Sequence, residues 1–169
     1  MCIRDRKNRF VILQPWIGLV ARLTLGGVLF AAGYLKVDTP DESQMAVRAY
    51  EMLPISLANL LGLILPFVEV VIGALLILGA LTRVMAALGG FTMFIFIIAI
   101  AQAWARGLNI DCGCFGGGGA VEPGQTKYLQ EILRDLGLVF LAAYLIRYPS
   151  TKFSLDRNEN RKSSQGEVE

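Results

Sequence analysis

The stretch VMAALGGFTMFIFIIAIAQAW, Val84 to Trp104, runs for 21 residues without a charged side chain. About 20 apolar residues of helix are enough to cross the hydrocarbon core of a bilayer. Three further apolar runs reach or approach this length, and hydrophobic residues make up 54% of the 169-residue chain. We therefore predict an all-α protein, a four-helix transmembrane bundle with short connections and spans at 11–35, 55–81, 84–105 and 128–148.

The basic residues are distributed unevenly over the predicted loops. Ten of the 16 Lys and Arg residues precede span one, separate spans two and three, or follow span four, whereas four lie in the other two loops. Because cytoplasmic loops are enriched in Lys and Arg, we expect both termini in the cytoplasm. The chain then divides into a basic cytoplasmic N-terminus at 1–10, a membrane domain at 11–148 and a disordered polar cytoplasmic tail at 149–169.

The first outward loop contains the start signal of a helix. Thr39 is a suitable N-cap residue, and Pro40 suits the first helical position. We predict a short interfacial helix outside the membrane, in a position to cover the other outward loop.

That other loop contains NIDCGCFGGGG, Asn109 to Gly119, with two of the three cysteines. Three interpretations of Cys112 and Cys114 remain open: a redox pair exchanging with an extracytoplasmic thioredoxin-like partner, a permanent loop disulfide, or two ligands of copper or zinc. A disulfide closing so small a ring is strained, which favours exchange. Since two thiolates fall short of the usual four zinc ligands and the chain has no histidine, we predict no metal.

Charged residues in the spans are the remaining candidate site residues. Arg22 and Glu69 lie near the middle of spans one and two, so we predict a buried pair that fixes the helices or lines a quinone or proton site. Without histidine, a thiolate must be stabilised by other cations or by backbone amides. Candidates for support on the thiol side are Arg106, Lys127, Arg134 and Asp135.

Three segments resemble one family, the methylamine utilisation protein MauE group within the wider DoxX-like membrane proteins. They are ARLTLGGVLFAAGYLK at 21–36, PFVEVVIGALLILGALTR at 66–83 and DCGCFG at 111–116. The resemblance covers about residues 15 to 148. It implies a multi-pass redox-associated protein of the bacterial plasma (inner) membrane, linked to methylamine metabolism and to maturation of a periplasmic amine dehydrogenase. It also implies a thioredoxin-like or disulfide-forming partner, with a quinone as a candidate cofactor.

Together these observations predict a membrane protein that passes disulfides or electrons between an outside thiol protein and the quinone pool. It would be a thiol-disulfide oxidoreductase or an accessory subunit of one, with the Cys112 and Cys114 loop facing outward. The alternative is a non-enzymatic scaffold or assembly subunit with a structural loop disulfide. Membrane lipid is an expected contact, a nucleic acid is not, and the oligomeric state is left open.

Overall fold

A computed structural model describes residues 3–114, 117–122, 124–149, 151 and 155. This part of the chain forms five helices and one two-stranded sheet. They are α1 (Ile3–Val37), α2 (Pro40–Ala49), α3 (Ile55–Leu78), α4 (Thr82–Ala105), β1 (Ile110–Asp111), β2 (Gly119–Ala120) and α5 (Tyr128–Arg147). The four long helices match the predicted spans to within three residues at each end, except that α1 begins at Ile3. The small sheet was not predicted.

In the described part of the chain, three helical segments are long and apolar enough to cross a membrane. They are Gln14–Val37, Ile55–Leu78 and Thr82–Ala105. This confirms an all-α membrane protein. The fourth long helix, α5, has 20 residues but includes Glu131, Arg134, Asp135 and Arg147, so its composition alone does not mark it as a span.

The helices α1 and α3 run antiparallel in backbone contact at glycines. A Cβ atom at Gly73 would lie 2.5 Å from the backbone nitrogen of Phe30, and one at Gly33 would lie 2.5 Å from the carbonyl oxygen of Pro66. Small residues are what allow membrane helices to approach this closely. The helix α4 packs along α5, which also contacts α1, and the core between these helices contains Leu25, Leu29, Ala86 and Leu145.

The short helix α2 begins as predicted, with Thr39 at the N-cap and Pro40 in its first turn. It packs on the first turns of α3, where the Ser43 hydroxyl donates a hydrogen bond of 2.7 Å to the Gly62 carbonyl. A Cβ atom at Gly62 would lie 2.5 Å from Cα of Gln44. The start of α3 therefore packs against α2 and extends past the end of α1.

The predicted disordered tail at 149–169 falls outside the described residues except for Pro149, Thr151 and Leu155. Thr151 is 2% exposed, and its hydroxyl accepts a hydrogen bond of 2.9 Å from Nη1 of Arg22. Its methyl group lies 2.6 Å from the position of a Cβ atom at Gly18. At Thr151 the chain therefore packs against α1, where the buried guanidinium of Arg22 gains a polar partner.

Candidate functional site

The cysteine loop, residues 106–127, connects α4 to α5 and contains the antiparallel pair β1 and β2. Its base is fixed by Tyr128, the first residue of α5. The Tyr128 hydroxyl donates a hydrogen bond to the Leu108 carbonyl and accepts one of 3.1 Å from the backbone N–H of Ile110. These bonds hold the loop against the start of α5. The sequence analysis did not anticipate this role of Tyr128.

The helix α2 lies over the cysteine loop, where we expected the short helix. A Cβ atom at Gly113 would lie 2.8 Å from Cβ of Ala46, and one at Gly118 would lie 2.6 Å from the same atom. Gly113 also has a φ of +65°, a conformation that glycine adopts without steric cost. The residue between the two cysteines must therefore be small for the turn and for the contact with α2.

Both thiols of the pair are free and in contact with each other. Cys112 is half-buried, whereas Cys114 is only 7% exposed. The backbone N–H of Cys114 donates a hydrogen bond of 3.3 Å to Sγ of Cys112. The loop thus presents one accessible sulfur and one sheltered sulfur side by side.

The two thiols differ in acidity. The hydrogen bond from Cys112 lowers the pKa of Cys114, and the charge of Arg134 lowers it further against the opposing effect of burial. The pKa of Cys112 is raised, because its proton is engaged by Cys114 and because the site is desolvated. Of the two, Cys114 is therefore the sulfur that ionises first.

Arg134 and Asp135 form an ion pair on α5 beside Cys114. Nη2 of Arg134 lies 2.8 Å from Oδ1 of Asp135, and Nε donates a hydrogen bond of 2.9 Å to the same oxygen. The Asp135 side chain is fully buried. Arg134 also lines the same pocket as Cys114, and its charge lowers the pKa of that thiol, so it acts on both the carboxylate and the thiol.

Glu131 was not among the predicted site residues and lies one helical turn before Asp135. One of its carboxylate oxygens lies within 4.8 Å of Sγ of Cys112, and the side chain is 9% exposed. Residues three and four apart share a helix face, so the spacing of Glu131, Arg134 and Asp135 was the available signal. One face of α5 therefore supplies a partner to each sulfur.

Both sulfurs line a pocket of about 400 Å³. Lys127, Glu131 and Arg134 also line it, so Lys127 and Arg134, two of the four candidate supporting residues, lie beside the thiols. Arg106 is not among the lining residues. It forms an ion pair of 2.9 Å with Glu51, because the end of α4 faces the residues that follow α2, and it ties these two segments together.

A second, smaller cavity of about 10 Å³ lies behind Cys114. Glu69, Cys114, Arg134 and Asp135 line it together with apolar side chains of α1 and α4. A space of this size holds about one water molecule. Because Cys114 and Arg134 line both spaces, they separate the outer pocket from the charged interior.

Glu69 pairs with Lys36, so the predicted Arg22 and Glu69 pair is wrong. Nζ of Lys36 lies 3.1 Å from Oε2 of Glu69, with both side chains buried. Since the first turns of α3 pack against α2, Glu69 is level with Gly33 of α1, which contacts both Pro66 and Val70. Arg22 lies eleven residues earlier on α1, about 16 Å along the axis.

The pocket also brings oxygen ligands to the thiols. One ligand atom each from Asp111, Cys112 and Glu131 lies within 4.8 Å of the others. These residues are the ones that could hold a metal ion, and they add two carboxylates to the sulfur ligands seen in the sequence. Three such ligands remain one short of the usual tetrahedral zinc site.

Comparison with known proteins identifies the family. The family described as methylamine utilisation protein MauE matches residues 14–148. The methylamine utilization protein MauE of Methylophilus methylotrophus is 30% identical over 142 residues, which cover 82% of this chain and 72% of the relative. That of Methylorubrum extorquens is 35% identical over 109 residues, 64% of this chain and 59% of the relative. No solved structure matches. The chain therefore belongs to the MauE family of methylamine utilisation proteins.

Proposed function

We propose that this MauE family member carries out thiol-disulfide exchange at the outer face of the bacterial plasma membrane. Cys112 and Cys114 would cycle between dithiol and disulfide with an extracytoplasmic thioredoxin-like or disulfide-forming partner. The observation that carries this proposal is the contact between the two sulfurs in a pocket that Glu131 and Arg134 also line. A carboxylate and a guanidinium beside a dithiol are suited to moving a proton and stabilising a thiolate.

The exchange conserves electrons and protons. When the Cys112–Cys114 disulfide is reduced by a partner dithiol, the partner loses two electrons and two protons and becomes a disulfide. The two sulfurs of this chain gain the electrons. In the opposite direction, a partner disulfide is reduced and the Cys112–Cys114 bond forms.

A permanent disulfide at this position would add little to the stability of the loop. The loop is already closed by the pairing of β1 with β2 and by the hydrogen bonds of Tyr128. A crosslink between residues two apart closes so short a loop that it would add little stability. This favours the reversible pair over the structural one.

We further propose that α5 is a fourth span, which places both termini in the cytoplasm and the cysteine loop outside. A helix of 20 residues is about 30 Å long, the thickness of a hydrocarbon core. Its acidic residues, Glu131 and Asp135, are turned into the protein, as expected for charges at membrane depth. The uneven distribution of Lys and Arg supports the orientation.

The electron acceptor we propose is a membrane quinone, which the dithiol would reduce to the quinol as the disulfide forms. The quinone site that we propose is an apolar groove of about 390 Å³ between α3 and α4, separate from the thiol pocket. Phe67, Val71, Leu75 and Phe91 are among its lining residues. The names of the relatives suggest that the pathway served is methylamine utilisation. We propose that the partner in this pathway takes part in maturation of a periplasmic amine dehydrogenase.

Thiol labelling of intact cells tests the proposal. A maleimide that cannot cross the membrane should label Cys112 and Cys114 after treatment with a reductant and should leave them unlabelled after an oxidant. A Cys114→Ser variant should accumulate as a disulfide-linked complex with an outside protein. The matched control is Cys2→Ser, which removes the third cysteine and should change neither result.

The second candidate function is a scaffold that docks a partner without redox chemistry. A pair that stays oxidised under both treatments, with no complex captured by the Cys114→Ser variant, would establish the scaffold and exclude exchange. Labelling by cytoplasmic reagents alone would overturn the orientation.

A further inference from the structure

We propose that the two sulfurs divide the exchange reaction. Cys112 is the sulfur that bonds to the partner, and Cys114 is the internal sulfur that leaves as a thiolate and later returns, with Arg134 and Asp135 as its positioning residues. This assignment rests on the proposed function above and adds a separate role for each sulfur.

The two sulfurs differ in how easily a partner can reach them. Cys112 is half-buried and lines the outer pocket, so a partner sulfur can approach it. Cys114 is 7% exposed and lines the smaller inner cavity as well. The covering helix α2, in contact with Gly113 between the two cysteines, leaves α5 as the side from which the pair can be approached.

A cation of fixed orientation, Arg134, lies beside Cys114. Arg134 is oriented by two contacts to Oδ1 of Asp135, at 2.8 and 2.9 Å, and Asp135 has no exposed surface. A thiolate that departs from a disulfide does so faster when the leaving sulfur is better stabilised. Since Arg134 and Cys114 line both the outer pocket and the inner cavity together, the cation is placed to stabilise this sulfur.

The charges around the inner cavity support this arrangement. Two ion pairs meet there, Lys36 with Glu69 and Arg134 with Asp135. Each pair is neutral as a unit, so the cluster has no net charge before Cys114 ionises. When Cys114 ionises, the charges of Arg134 and Lys36 stabilise its thiolate, whereas burial and the charge of Asp135 oppose it.

The chemical steps follow from this geometry. A partner thiolate attacks Sγ of Cys112, the Cys112–Cys114 bond breaks, and Cys114 leaves as a thiolate. The second partner thiol loses its proton and attacks the partner sulfur of the mixed disulfide. The partner disulfide forms, and Cys112 is released and takes a proton from the Glu131 carboxyl, which has an oxygen within 4.8 Å of Sγ of Cys112. The partner's other proton goes to solvent while Cys114 remains a thiolate.

A thermodynamic consequence is that the disulfide is a good oxidant. Stabilising the reduced form of a dithiol raises the tendency of its disulfide to accept electrons. The arrangement therefore favours donation of a disulfide to the partner, with regeneration by the quinone named above.

Glutathione mapping tests the assignment of the sulfurs. The full chain in lipid nanodiscs is oxidised, mixed with reduced glutathione and quenched with acid at short intervals, and the position of the glutathione adduct is determined by mass spectrometry. We expect most of the adduct on Cys112. An adduct mainly on Cys114, or divided equally, would overturn the division of roles while leaving exchange itself intact.

The equilibrium with glutathione tests the positioning residues. Arg134→Gln should shift the equilibrium toward the Cys112–Cys114 disulfide by at least about tenfold, since a hydrogen bond to a charged group is lost. Arg134→Lys, which retains the charge, should shift it less. Arg147→Gln, the same substitution at the other end of α5, is the matched control and should leave the equilibrium unchanged.

These outcomes separate the two proposals. If glutathione neither reduces the pair nor forms an adduct with either sulfur, the exchange function fails and the division of roles fails with it. If exchange occurs with equal equilibria in the Arg134 and Arg147 variants, only the role of Arg134 and Asp135 is refuted. The adduct map in the unmodified chain keeps the assignment testable if Arg134→Gln does not fold.

Discussion

The ammonium group of Lys36 lies 3.1 Å from Oε2 of Glu69 and joins α1 to α3 inside the protein. The two side chains are 8% and 1% exposed, and the Phe96 ring lies 5.7 Å from the ammonium nitrogen. A buried ion pair contributes little net stability relative to apolar residues, but removing one partner leaves an uncompensated charge. Each side chain is therefore needed to compensate the buried charge of the other.

Glu69→Gln should destabilise the protein strongly, because the Lys36 charge would remain buried without its partner. We expect a loss of about 3–5 kcal/mol, measured as a lower thermal unfolding temperature in detergent and as reduced accumulation in the membrane. Replacing both members, Lys36→Met with Glu69→Leu, should recover most of the loss.

The matched control for this variant is Glu51→Gln, which breaks the pair between Glu51 and Arg106. These side chains are 61% and 44% exposed, and exposed pairs contribute about 0–1 kcal/mol. Equal unfolding temperatures for Glu69→Gln and Glu51→Gln would show that the Lys36 and Glu69 pair is not what holds α1 to α3.

Gly73→Ala should separate α1 from α3. The added methyl would lie 2.5 Å from the backbone nitrogen of Phe30 and 2.7 Å from the carbonyl oxygen of Gly26, atoms that move only with their helix. Overpacking of this kind costs about 1–3 kcal/mol, which thermal unfolding in detergent would detect.

Gly27→Ala is the control for this contact, because a Cβ atom at Gly27 meets nothing within 4 Å. Alanine is the better helix former, so this variant should be neutral or slightly stabilised. A similar loss in both variants would mean that helix propensity or lipid contact, and not the α1 and α3 contact, is responsible.

Much of the fold could be predicted from the sequence, because a membrane span is defined by one local property, a sufficient length of apolar residues. That property gave the limits of α3 and α4 to within three residues. The relative depth of the helices could not be predicted in the same way. It depends on α2, which packs against the first turns of α3. The part of α3 that faces α1 therefore begins later in the sequence, and Glu69 lies beside Lys36 and not beside Arg22.

The candidate site was predictable in part for a similar reason. The two cysteines stand out by their chemistry, and Arg134 by a charge that is unusual in an apolar helix. Glu131 and Tyr128 were missed because their roles depend on how the cysteine loop folds back on α5. Arg106 was wrongly grouped with the thiols, since nearness in sequence did not reveal that its side chain turns toward Glu51.

Alkylation of the two cysteines should depend differently on pH. The pKa of Cys114 is lowered by the hydrogen bond from Cys112 and by Arg134, so its thiolate persists below the ordinary thiol pKa of about 8.5. Its reaction with a small neutral reagent should therefore slow only when the pH falls through that lowered value. The pKa of Cys112 is raised, so its rate should still be increasing at alkaline pH.

Isotope-coded iodoacetamide, applied to the reduced protein and read by peptide mapping, gives both pH profiles from one sample. Cys112→Ala removes the hydrogen bond to Cys114 and should move the Cys114 profile to higher pH. Superimposable pH profiles for the two cysteines in the unmodified protein would contradict the difference in acidity between them.

Tyr128→Phe should loosen the cysteine loop without unfolding the helices. The Ile110 amide and the Leu108 carbonyl would both lose the Tyr128 hydroxyl, and an unsatisfied buried polar group costs about 1–3 kcal/mol. Hydrogen-deuterium exchange should therefore become faster at the Ile110 amide, while exchange in the middle of α4 should not change. Tyr148→Phe, an exposed tyrosine at the other end of α5, is the control. Unchanged protection at Ile110 in Tyr128→Phe would mean that the pairing of β1 with β2 holds the loop by itself.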